Sequence, residues 1–351
     1  MTADVRGGME FGVFDWVDAA PGETVAETYA ARIRLVRAAE DLGFSRYHVA
    51  EHHGTPLGLA PSPGLFLAAV ARETARIRLA ATTFILPLYD PLRLAEEIGM
   101  VDQLSGGRLE IGIGKGSSPI EAAMFGLDGP GTLGRYEAVL EAVLEALATG
   151  VYRRADGEPV PLFVRPVQEP LPPIWYPTSN PVSIRQVAEQ GRHTIFGFGF
   201  VSPPLEDIRV HSRTFFGIRA QAGGAGDHSR FGILRHVFVA EDDGRARAVA
   251  REALAAHYES FSHLWRQAGD PRYGATPDLD DLIDRHLIFV GSAASVADQV
   301  AHAVRTAEVN YLAGAFAWGS LSEEQSRRSL ELFADVVMPA ARAAFAEISP
   351  G

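Results

Sequence analysis

"RIRLAATTFILPLYDPLRLAEEIGMVDQLSGGRLEIGIGKG" (76–116) decides the fold. Apart from Arg76 and Arg78 its first eleven residues are mostly apolar, with β-branched Ile77, Thr82, Thr83 and Ile85 among them, which predicts a strand over 76–86. Asp90 and Pro91 then supply an N-cap and a proline at the first helical position. Leu94, Ile98 and Val101 follow at helical spacing as far as the Gly106–Gly107 stop. "RLEIGIGKG" (108–116) is a second strand running into a glycine turn. A strand, a helix and a strand in this order form a parallel crossover unit.

The same alternation extends along the 351 residues. Strands are expected at 9–16, 46–52, 173–178, 193–200, 233–241 and 311–318. Helices are expected at 24–42, 64–74, 135–148, 182–190, 205–221 and 243–268. Ser322 and Gln325 form a capping box for the last helix. About eight strand–helix units favour a single (β/α)₈ TIM-type barrel spanning 1–351, with a doubly wound open sheet as the rival. Insertions are expected after strand 4, where 150–172 is rich in proline, and after strand 7, where 269–290 is irregular.

The formal charge of −12 argues against nucleic acid, whose phosphates need a basic partner. With no cysteine, disulfides, iron–sulfur clusters and thiol nucleophiles are excluded. Neither a signal peptide nor a bilayer-length apolar run is visible, so a cytoplasmic protein without membrane contact is expected.

"HVAEHH" (48–53) contains the H-x-x-E-H string of a class of zinc peptidases. One metal would require His48 and His52 about 6 Å apart on a helix. On the expected strand they lie roughly 13 Å apart, too far for one ion, and no metal site is expected. Adjacent His52 and His53 should point to opposite sides: at the end of a barrel strand one faces the catalytic rim, or else one is simply buried and hydrogen-bonded while the other is solvated. "GIGKGSS" (112–118) misses the spacings of both the Walker and the dinucleotide loops. It leaves Lys115 on a turn that suits an anion site or an ordinary loop. In "TSNPVS" (178–183) Asn180 suits an N-cap before Pro181, with Ser179 and Ser183 flanking amides that could meet a phosphate. Glu121 is either a rim carboxylate near His52 or a solvated helix residue.

"AEHHG", the 76–116 segment, "EAAMFGLD" and "RRSLELFADVVMP" together resemble the bacterial luciferase-like flavin oxidoreductases. The L-P-x-x-x-P, D-Q-L-S-G-G-R and G-x-G-K-G elements occur in that family's order. The resemblance implies a barrel that holds FMN, or in other branches a deazaflavin, at its C-terminal rim. By motif position His52 matches the catalytic histidine and Glu121 an acidic position. Thr82 and Thr83 fall where many members carry a non-proline cis peptide against the flavin. Lys115 stands where relatives often have an arginine for the flavin phosphate, and Ser179, Asn180 and Ser183 match the other half of that pocket. The implied reaction uses reduced FMN, delivered by a separate flavin reductase, and O₂ to oxidise a small organic substrate such as an aldehyde. A homodimer is implied as well. The alternatives are a deazaflavin-dependent hydride-transfer enzyme and a non-catalytic flavin-binding barrel.

Overall fold

A computed structural model describes residues 6–127, 129–197, 200, 202–222 and 228–348. The strands are β1 (Glu10–Asp15), β2 (Arg46–Val49), β3 (Arg78–Ile85), β4 (Leu109–Gly114), β5 (Val151–Arg153) and β6 (Pro159–Pro161). They continue with β7 (Ile174–Trp175), β8 (Thr194–Ile195), β9 (Phe231–Ala240), β10 (Ile288–Ser292) and β11 (Tyr311–Ala315). The helices begin with α1 (Val25–Asp41), α2 (Pro63–Glu73), α3 (Pro91–Ser105), α4 (Pro119–Met124) and α5 (Gly129–Thr149). α6 (Ser183–Glu189), α7 (Leu205–Ala222), α8 (Asp243–Gln267) and α9 (Leu279–Asp284) follow. α10 (Ala293–Ala307), α11 (Glu323–Leu332) and α12 (Met338–Ile348) complete the chain.

Parallel pairing runs β9–β11–β1–β2–β3–β4–β7, and β8 pairs with β9. The step from β7 to β8 is carried by bridges Trp175–His193 and Thr178–Phe196. His193 N donates to Ile174 O at 2.8 Å and Thr178 N to Ile195 O at 3.0 Å. These contacts complete the ring of an eight-stranded (β/α)₈ barrel, as the alternation predicts. The fifth and sixth barrel strands, β7 and β8, are shorter than the expected 173–178 and 193–200. Pro173 and Pro177 bracket β7 and lack the N–H a ladder needs. Residues 198 and 199 of the second stretch lie outside the described residues.

Both insertions hold more structure than their composition suggests. The proline-rich stretch after β4 contains the β5–β6 hairpin. The stretch 269–290 is not irregular throughout: it contains α9 and the start of β10, a further parallel strand on β9. Asp278 caps α9 by accepting Asp281 N, a short-range signal that a 3.6-residue pattern over six residues is too brief to reveal. The Ser322–Gln325 capping box is formed in both directions. Asp90 caps α3, which Gly106 ends at φ +66°.

Alternation within each strand separates two layers. Phe11 and Val13 of β1, with Ile233 and Val237 of β9, pack against the helices. Phe14, Leu234 and Phe238 belong instead to the apolar cluster inside the barrel. Below this cluster the interior is charged. The buried Glu110 carboxylate of β4 accepts hydrogen bonds from Arg46 of β2, Arg78 of β3 and Trp175 Nε1 of β7. Arg46 also pairs with Glu10 of β1, which pairs with Arg230. The flanking guanidinium groups hold the Glu110 carboxyl well below its ordinary range, against the opposing effect of burial.

His48 lies above this layer and is fully buried. Its Nδ1 meets Thr82 Oγ1 at 2.7 Å and its Nε2 meets Tyr311 OH at 2.7 Å. Burial pushes its pKa down to about 3. Both ring nitrogens are engaged, so His48 has none left for the metal that H-x-x-E-H suggests.

Two consequences are measurable. Glu110→Ala takes the shared carboxylate from Arg46 and Arg78, leaving Arg46 with Glu10 and Arg78 with no carboxylate among the described residues, and removing one partner of a buried pair costs about 3–5 kcal/mol. The expected result is a large loss of unfolding free energy in urea. Between pH 6.5 and about 3 the unfolded chain protonates His48 and the folded chain does not. Stability is therefore full above pH 6.5 and falls with acid, by about 1.4 kcal/mol per pH unit for this one group. His48→Gln should flatten that slope by one proton in urea titrations at pH 6.5, 5.5 and 4.5.

Candidate functional site

The C-terminal ends of the barrel strands surround a cavity of about 400 Å³. In ring order its wall takes Phe14 and Trp16 from the end of β1, His52 from β2, Thr82 and Thr83 from β3, and Lys115 from β4. Thr178, Ser179 and Asn180 follow β7, and Ile195 and Leu234 come from β8 and β9. In a ring of eight, β1 and β7 are diametrically opposed. The cavity therefore has a polar arc at β4 and β7 and an apolar arc from β8 through β9 to β1.

The strand β2 ends at Val49, and the chain turns through Ala50–Glu51–His52–His53. Two carboxylates fix this turn. Glu51, buried, accepts Ile85 N at 3.0 Å, Tyr89 OH at 2.8 Å and His53 Nε2 at 2.9 Å. Glu121 accepts His52 Nδ1 at 3.1 Å with one oxygen and His53 N at 3.2 Å with the other. Glu121 is presented by the first turn of α4, whose N-cap Ser118 accepts Glu121 N. Gly58 folds back so closely that a Cβ there would lie 2.7 Å from His52 Cβ. With Nδ1 on a carboxylate, neutral His52 keeps Nε2 as its free acceptor. His53 packs its ring edge-on against Phe125 and does not line the cavity.

The floor is formed by β3. The Thr82–Thr83 peptide bond is cis, and the pairing of β3 with β4 shifts register between Ala81 and Phe84. A Cβ at Gly114 would stand 2.4 Å from Thr83 Oγ1, so only glycine lets β4 close against this floor.

Lys115 is the only lysine of the chain and is exposed at the polar arc. It has no ion-pair partner among the described residues. Ser117, Ser118, Thr178, Ser179 and Asn180 surround the same end with hydroxyl and amide groups. An unpaired ammonium facing such donors suits a phosphate, so the residues present fit the phosphate end of a flavin mononucleotide.

The structure brings His52, Glu121, Thr82, Thr83, Lys115, Ser179 and Asn180 to one cavity. Ser183 is not among its lining residues. The expected helix start at Pro181 is also displaced. α6 begins at Ser183, and Asn180 makes a turn instead of a cap, with Oδ1 accepting Val182 N at 3.1 Å. Proline satisfies the first helical turn in sequence, but the Asx turn consumes the cap oxygen earlier. Trp16, Thr178, Ile195 and Leu234 escaped the sequence reading. The position of Trp16 at the end of the first strand was the available signal, since barrel strands aim their C-terminal residues at the rim.

The family model for luciferase-like monooxygenases matches residues 9–309. An uncharacterised protein, y4wF, of Sinorhizobium fredii is 37% identical over 324 residues, 91% of this chain and 93% of its own. The oxygenase component of a flavin-dependent trigonelline monooxygenase of Acinetobacter baylyi is 26% identical over 339 residues, 91% of each chain. Among solved structures, the oxygenating constituent of 3,6-diketocamphane monooxygenase of Pseudomonas putida, in complex with FMN, superposes with a TM-score of 0.78. It covers 95% of this chain and 98% of its own at 22% identity, a likeness of fold. A barrel of this topology, with a family match running from its first strand nearly to its last, belongs to the luciferase-like monooxygenases, a family of flavin-dependent enzymes.

Proposed function

We propose that this protein is the oxygenase component of a two-component FMN-dependent monooxygenase acting on a small organic substrate. The observation that carries the reading is the His52–Glu121 pair at 3.1 Å, set in the same cavity as the unpaired Lys115. The FMN named for one solved relative and the oxygenase role named for another support the same cofactor and a separate reductase. When bound, reduced FMN supplies two electrons to O₂, one oxygen atom going to the substrate and the other to water.

The chain's own residues bind, orient and move a proton. Lys115 and the hydroxyls of Ser117, Thr178 and Ser179 hold the phosphate. Lysine serves as a point charge where arginine would offer a fork. Thr82 and Thr83 support the ring system from β3, with Thr82 fixed from below by His48. Glu121 holds His52 in the tautomer that leaves Nε2 open, and Nε2 accepts and returns a proton within the cavity. The apolar arc excludes water from the reacting atoms. Leu65, Met100, Leu104 and Phe163 are exposed apolar side chains that suit burial against a second copy of the chain. Light scattering should return the mass of two chains.

The test is anaerobic titration with reduced FMN and, separately, with a reduced deazaflavin, followed by admission of oxygen. FMN binding and flavin-dependent oxygen uptake are expected. Tight deazaflavin binding without oxygen uptake would overturn the reading in favour of hydride transfer. His52→Gln should lower turnover by about 10²–10⁴-fold, the usual size of a general acid–base contribution, with FMN affinity nearly unchanged. Lys115→Met should weaken FMN by about 10-fold or more, as loss of a charge-assisted hydrogen bond requires, and leave riboflavin binding unaltered.

A further inference from the structure

The apolar arc of the cavity faces its cation across the ring, and at that end no charge is left free among the described residues. The two carboxylates of the wall, Glu51 and Glu121, have both oxygens engaged by protein donors. Lys115 stands at β4, on the polar side. The facing surface is built by Phe14, Trp16, Ile195 and Leu234.

Trp16 is 7% exposed and held from behind. Its ring stacks on His236, with centroids 4.8 Å apart and planes 10° from parallel. His236 lies equally flat against Phe200, at 5.2 Å and 8°. His236 Nε2 is 3.1 Å from His257 Nε2, and His257 Nδ1 is 2.9 Å from Asp18 Oδ2. Asp18 Oδ2 accepts from His257 Nδ1, and the His236–His257–Asp18 chain fixes the His236 ring in place. Burial holds His236 neutral, and the stack adds no charge behind the indole. Turning the Trp16 ring would break the stack on His236, so the wall is rigid.

The indole N–H groups of Trp175 and Trp318 are bonded to Glu110 and to Val237 O. That of Trp16 has no partner among the described residues. The Nε1 atom is not among the buried polar atoms left without a partner, and the open space that Trp16 lines is the cavity, so its N–H is free to meet a ligand there.

We propose that Trp16 determines substrate specificity: its ring walls the site for an uncharged, mostly apolar substrate, and its indole N–H donates to that substrate's carbonyl oxygen. The inference rests on the cavity being an FMN-dependent oxygenase site. A carboxylate or ammonium on the substrate would enter the apolar arc without a partner, which burial of charge penalises heavily.

The experiment first measures FMN binding to the protein by flavin fluorescence. Calorimetry on the FMN-loaded protein then compares 2-norbornanone, norbornene and norbornane-2-carboxylate. Trp16→Phe is the variant, since it keeps an apolar ring and removes the donor, and Trp16→Leu is the second should the first not fold. The ketone should bind at least tenfold more tightly than the carboxylate. The Phe variant should weaken the ketone about fivefold, the size of one net hydrogen bond, and leave norbornene and FMN binding unchanged. Absence of ketone binding, a carboxylate bound as tightly as the ketone, or a variant that weakens ketone and alkene alike or neither would overturn the inference. Absence of FMN binding to the unaltered protein would instead overturn the oxygenase reading beneath it.

Discussion

The buried Glu110 carboxylate is the constraint on which the rest of the barrel depends. It draws Arg46, Arg78 and Trp175 from three other strands onto one group. A charge inside a barrel is tolerable only when fully paired, so these strands have one permitted register relative to β4. A slip of one residue would turn Glu110 toward the helices and take its carboxylate from both Arg46 and Arg78. Because the four strands are locked at this level, their C-terminal ends are locked above it. His48 connects the two layers, sitting over the charged floor and bonding upward to Thr82 beneath the cavity.

The cavity inherits its asymmetry from the ring. Loops after β4 and β7 contribute an ammonium and hydroxyls, while β8, β9 and β1 contribute apolar walls. Between them the turn after β2 is held by two carboxylates, and His52 is the group whose second nitrogen remains open. The result is a site in which polar, reactive and apolar surfaces occupy successive positions around one circle. Such an order lets one elongated ligand engage a cation at one end and leave space for a second molecule at the other.

The barrel was legible because 76–116 carries a complete strand–helix–strand signature: strand-forming runs at both ends, helical spacing between them, a proline cap and a glycine stop. His52, Glu121 and Lys115 were legible through motif position, and the structure brings them to one cavity. The true start of α6 was not legible, since an Asx turn and an N-cap use the same asparagine and differ only in the backbone that follows. α9 was hidden because six residues are too few for a 3.6-residue period to register, and β10 because it begins inside the stretch 269–290, whose composition reads as irregular. Ser183 belonged to the right loop but, as the first residue of α6, is not among the residues that line the cavity.

By itself the sequence determined the alternation of the barrel's strands and most of its helices, the absence of thiol chemistry, and which polar residues stand near strand ends. These are properties of neighbouring residues, and local spacing suffices to express them. Only the tertiary structure decided that Glu121 clamps His52, that Lys115 stays unpaired and that Trp16 faces Thr178–Asn180 across the rim. Those relations join residues 69 positions apart or more, and nothing in local spacing encodes them. They follow from closing the ring in one register, which the paired charges inside it enforce.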